Sequence, residues 1–98
     1  QLCFHGHTHV PRVYVKSSKV REVPAESVEI EANAKYFINA GSVGQPRDGD
    51  PRAGYVIYDN DSKLIVFRRV TYNMPKTQRK IIEAGLPEML AERLEEGR

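Results

Sequence analysis

The chain has 98 residues, with 15 Lys and Arg against 13 Asp and Glu and a single cysteine. That length allows one modest core and not two, the near balance of charge argues against a nucleic-acid partner, and a lone cysteine excludes an intrachain disulfide framework. No apolar run approaches the roughly 20 residues needed to span a bilayer and no signal peptide is visible, so the expected setting is the cytoplasm, without a membrane partner.

Leu2 to Phe4 reads as a short apolar strand. Its extended character right at Gln1, with no initiator Met, points to a segment cut from the middle of a sheet in a longer protein, since domain boundaries usually fall in polar linkers. Cys3 within it is expected to pack as a small buried group. "PRVYVK" places Val13 and Val15 on one side and Tyr14 on the other, a strand with Pro11 just outside it, and "SSK" ends the pattern. In "SVEIEANAKYFINA", Val28 and Ile30 alternate with Glu29 and Glu31 as a half-solvated strand. Asn33 turns the chain, and Ala34 to Ala40 forms a more central strand.

"GSVGQPRDGDPRAG" is the one long irregular segment, and loops of that length are often functional or part of an interface. Asn39 and Ser42 are read as serving the turn at the end of the preceding strand, with Gly41 and Gly44 supplying its geometry. Arg47 and Arg52 in this loop can contact phosphate oxygens, or pair with Asp48 or Asp50 and simply hold the loop, or meet a subunit partner; the structural reading is preferred. "YVIYD", the turn "DNDS" and "KLIVFRRV" make a hairpin, apolar on both faces from Tyr55 to Tyr58 and from Leu64 to Phe67, which requires a second layer. A short helix then starts near Thr77 and ends at Gly85. Pro87 opens a second helix with Leu86, Leu90 and Leu94 as its apolar stripe and Met89 widening it, expected to cover a sheet.

The chemistry-bearing cluster is "FHGHTHVPR", which places His5, His7 and His9 at alternate positions. They would share a face if the strand continued through them; a strand ending at Gly6 would present His7 and His9 on the following turn. Two imidazoles at this spacing suit Mn, Fe, Zn, Ni or Co, but two ligands do not complete a site, and loop histidines also serve structure alone. A cupin-type one-metal site is disfavoured, because the next acidic residue is Glu22 and there is no fourth histidine.

Gly6-His7-Thr8-His9 after an apolar strand, followed by "FINAGSVGQPRDGDPRAGYVIYD", "FRRVTYN" and "KIIEAGLPEMLAERLEEGR", resembles the end of the calcineurin-like metallophosphoesterases, in their small bacterial and archaeal phosphodiesterase branch. The resemblance covers almost the whole chain. It implies an α/β fold in which residues 1–98 are the C-terminal part of a single four-layer αββα sandwich, mostly β hairpins with C-terminal helices. It also implies a dinuclear enzyme that activates a hydroxide between two divalent ions, manganese first, to hydrolyse a phosphate-ester small molecule or nucleotide.

In that family the ligands come in order from D-x-H, G-D-x-x-D, G-N-H-D/E, a lone His and G-H-x-H. By the resemblance His7 binds the second metal and His9 the first, Thr8 is a spacer, and Gly6 keeps the loop close to the sheet. His5 stands where the family has an apolar residue and is not a ligand. None of the earlier motifs occurs in this chain. The resemblance therefore implies a fragment inactive alone, whose missing strands leave apolar edges that favour a homo-oligomer. The competing reading is a non-catalytic β-rich domain with structural histidines that binds a protein partner.

Overall fold

Val13 and Val15 are sealed from solvent while Arg12, Tyr14 and Lys16 between them face out, the period-two signature that one buried face imposes on a strand. The computed structural model describes residues 1–98, and in it this strand is β2 (Arg12–Lys16). It joins β1 (Leu2–His5), β3 (Val20–Val23) and β5 (Lys35–Asn39) in a four-stranded sheet ordered β1-β5-β2-β3. β1 runs parallel to β5, and the other pairs are antiparallel. A second sheet, ordered β4-β7-β6, contains β4 (Ser27–Glu29), β6 (Ala53–Asp59) and β7 (Leu64–Val70).

The core lies between the sheets. Val13, Val15, Tyr36 and Ile38 from the first meet Val28 and Ile65 from the second. Tyr36 ties the layers with its hydroxyl, which accepts from the Glu31 amide at 2.9 Å and donates to the Glu29 carbonyl at 3.3 Å. Phe4 of β1 and Tyr58 of β6 meet across the other side of the sandwich, with ring centroids 6.2 Å apart. The expected second layer is present. It covers one face of each sheet only, and Phe37, Tyr55 and Ile57 remain exposed on the outer faces.

Several expectations are corrected. β3 has no counterpart in the sequence reading, because its outward residues blur the alternation: Val20 is exposed, and Arg21 and Glu22 occupy the middle of an edge strand. β1 lies at the edge of its sheet, and Cys3 on it is exposed, not buried. The Asn33 turn is present, and the strands on either side of it belong to different sheets.

The first helix, α1 (Met74–Glu83), begins earlier than Thr77. The Asn73 side chain accepts from the Lys76 amide as its N-cap, and Pro75 fits the first turn, where no amide partner is needed. Pro87 precedes α2 (Met89–Glu96) rather than lying inside it. Neither helix covers a sheet: no Cα of either comes within 8 Å of a strand Cα. The helices pack on each other, Gln78 donating to the Ala91 carbonyl at 3.0 Å, and Leu86 and Met89 of the predicted stripe stay exposed. The result is elongated, 50 × 25 × 18 Å, with a radius of gyration of 15.8 Å against about 13 Å for a compact chain of this length. No helix is long and apolar enough to cross a membrane.

Candidate metal-binding loop

β1 ends at His5, so the three histidines do not share a strand face. His5 belongs to the sheet: its ring stacks on Phe37 with centroids 4.1 Å apart, and its Nε2 is buried without a partner. His7 and His9 lie on the turn that follows, and both have left-handed backbone, φ 81° and 61°. For a residue with a Cβ that conformation costs on the order of 1 to 2 kcal/mol, and it persists only where neighbouring contacts dictate it. Gly6 is not the positive-φ residue. A Cβ placed there meets nothing within 4 Å, so the close approach expected of Gly6 is absent.

What holds the turn is a set of bonds from the end of β5 and the loop after it. Asn39, 1% exposed, donates from Nδ2 to the Gly6 carbonyl at 3.1 Å and to Thr8 Oγ1 at 2.7 Å, while its Oδ1 accepts from the Gly41 amide at 3.0 Å. Farther along, His9 Nδ1 lies 2.8 Å from the Gln45 carbonyl, and the Arg47 amide donates to the His9 carbonyl at 3.1 Å. A carbonyl only accepts, so His9 Nδ1 donates, and of the two neutral tautomers this bond selects the one with its lone pair on Nε2. A lone pair on Nε2 with Nδ1–H held by a backbone carbonyl is the arrangement that metal-ligating histidines commonly have. His7 is exposed and makes no hydrogen bond, which leaves its ring nitrogens free. Each ring can thus offer one nitrogen to a divalent ion. No group of three or more His, Cys, Asp or Glu side chains converges in the chain, so the remaining ligands of any such ion are not here.

The long irregular loop serves this turn and is itself anchored at its far end. Ser42 Oγ accepts from the Gln45 amide at 2.9 Å, and Pro46 is fully buried. Arg52 pairs with Asp50, as the structural reading expects, but Arg47 donates to Gln45 Oε1 at 2.8 Å and not to a carboxylate. The central cation is Arg69 of β7, which the sequence reading passed over within "FRRV". It pairs with Asp48, donates to the Arg52 carbonyl at 3.1 Å and lies 3.8 Å from Asp50. Gly44 has neither a positive φ nor a close neighbour, so Gly41 alone supplies the special geometry expected of the two.

The hydrogen bonds from the Arg52 side chain and then from its backbone amide hold the Asp50 carboxyl down at about 2, from an ordinary 3.8. A depressed carboxylate stabilises the fold above its ordinary value and loses that contribution as pH falls through the folded value. Asp50 is thus expected to support the loop fully above pH 4 and to release it between about pH 4 and pH 2. Comparing the acid unfolding of parent and Asp50→Asn checks this; an identical stability difference at pH 5 and pH 2 would refute it.

No family model matches the chain. It is 43% identical over 98 residues to an uncharacterized protein of Methanocaldococcus jannaschii, a match that takes in 99% of this chain and 40% of that protein. Among solved structures it is similar to the metallophosphoesterase from Sphaerobacter thermophilus, with a TM-score of 0.82 and 42% identity over 99% of this chain and 42% of that one. The chain spans less than half the length of either relative. Its mixed α/β architecture of two sheets and two helices is thus similar to part of a metallophosphoesterase.

Proposed function

We propose that residues 1–98 are the C-terminal part of a single metallophosphoesterase domain, and that the whole domain hydrolyses phosphodiesters or phosphomonoesters. The observation that carries this reading is the likeness over 99% of the chain to a metallophosphoesterase at 42% identity. The open surfaces support it. β1 and β6 are sheet edges on one side of the sandwich, with Phe4 and Tyr58 between them, and the outer faces keep Phe37, Tyr55 and Ile57 exposed. In a four-layer αββα sandwich these two sheets would be the inner layers, and further strands and helices of the protein would cover those edges and faces. Left open, the same edges favour a homo-oligomer.

His7 and His9 are proposed as ligands to two divalent ions, manganese first. When bound, the ions supply Lewis-acid activation of water and neutralise charge on the phosphate. The histidines themselves neither attack nor transfer a proton. His9 presents Nε2 because Gln45 holds the proton on Nδ1, and His7 presents its ring from a turn whose backbone is dictated by its neighbours. The substrate proposed is a phosphate-ester small molecule or a nucleotide.

The test is manganese-dependent hydrolysis of bis-p-nitrophenyl phosphate by the full protein. Loss of an outer-shell partner already costs 10- to 100-fold in typical metal sites, so His7→Ala and His9→Ala are each expected to lower kcat/KM by more than about a hundredfold. Equal activity of parent and both variants would refute the assignment.

A further inference from the structure

We propose that Asn39, acting through Thr8, is the positioning residue for His7. The inference rests on the reading of His7 as a metal ligand and deepens it. His9 is held by its own ring and its own carbonyl, to Gln45 and Arg47. His7 has nothing of the kind. It is exposed, makes no hydrogen bond, and carries the larger positive φ of the two, 81°. Its place is set only by the residues on either side, and both of those are tied to one buried amide: Nδ2 of Asn39 gives one proton to the Gly6 carbonyl and the other to Thr8 Oγ1.

The orientation of that amide is fixed in turn. Oδ1 must face the Gly41 amide, because turning the group over would set an oxygen against the Gly6 carbonyl and a nitrogen against a donor. Asn39 is therefore committed on all three bonds, and Thr8 is not a spacer. At 2.7 Å its hydroxyl accepts the shorter of the two clamping bonds and accepts a second, longer one from the Val10 amide at 3.4 Å. A ligand held this way meets an ion without first ordering its backbone, which is where preorganisation adds affinity.

Asn39 is buried, so removing it endangers folding; Thr8 is exposed and offers the cleaner test. Thr8→Val keeps the shape and β-branching but cannot accept the bond, and Thr8→Ser can. Two readouts are needed on the full protein: Co(II) affinity from its visible absorption, and, without metal, the one-bond Cα–Hα coupling of His7, which separates positive from negative φ. Thr8→Val is expected to weaken Co(II) binding by about tenfold, the scale of outer-shell losses, and to move the His7 coupling off its positive-φ value, with Thr8→Ser restoring both. A Thr8→Val protein that keeps the parental coupling and affinity overturns the clamp. If the coupling moves but neither Thr8→Val nor His7→Ala changes Co(II) affinity, the ligand reading of His7 is what fails, and the positioning role falls with it.

Discussion

Replacing Ile38 with alanine is expected to lower stability by about 3 kcal/mol, within the range of large-to-small substitutions in packed cores. Ile38 is on β5, the strand paired on both sides, and it is fully excluded from solvent. Its cross-strand neighbours are Phe4 on β1 and Val13 on β2. Because Val13 is also sealed and β5 has partners on both edges, the sheet has little freedom to collapse into the space an alanine would leave. Domains of this kind are stable by roughly 5 to 15 kcal/mol, and a chain with two open sheet faces belongs at the lower end. The loss is thus a large share of the total. Urea unfolding should show it as a lower midpoint with an unchanged slope. Ile57→Ala on exposed β6 is the control, expected to stay within about 0.5 kcal/mol. Equal effects at the two positions would mean that the sheets do not enclose the core described.

Gly41→Ala is expected to cost about 2 to 3 kcal/mol and to disturb the histidine turn as well. Gly41 has φ 85°, where a Cβ is penalised by about 1 to 2 kcal/mol. An added Cβ would also lie 2.9 Å from Pro11 Cγ and 3.4 Å from Pro11 Cδ. A proline ring is part of the backbone, so it cannot swing aside as the tip of a long side chain would, and overpacking adds to the strain. The Gly41 amide also donates to Asn39 Oδ1, so the displacement reaches the amide that holds Gly6 and Thr8. Denaturation gives the stability term, and amide chemical shifts of Gly6 to His9 give the local one. Gly44→Ala, with no positive φ and open space around it, should change neither. An alanine at 41 as harmless as one at 44 would contradict the close packing of this loop on Pro11.

Much of the strand content was legible because burial on one face writes itself into the sequence at period two. Val13, Val15 and Val28 follow that rule, whereas the hairpin around Asp59 shows instead as two apolar runs flanking a polar turn, which is closed by Asp59 Oδ1 accepting from the amides of Asp61 and Ser62. β3 escaped it because an edge strand with charged outward residues has little to bury. The helices were recognised by their period but misplaced in role. An apolar stripe shows that a helix needs cover, not which surface supplies it, and here the first surface available is the other helix.

At the site, the sequence by itself determined the residue types and their spacing: two histidines on a turn after a strand, and a glycine-rich segment downstream with the likeness to metallophosphoesterases. Only the tertiary structure decided their states. The proton on His9 Nδ1 is set by a carbonyl 36 residues away, and Asn39, legible only as a turn residue, is the buried amide that holds Thr8 across 31 residues. The left-handed backbone belongs to His7 and His9, not to Gly6, because bonds from the next strand and loop outweigh the local preference of each residue. Local chemistry is written in neighbouring letters; the choice of tautomer and backbone strain come from groups that meet only once the sheets have formed.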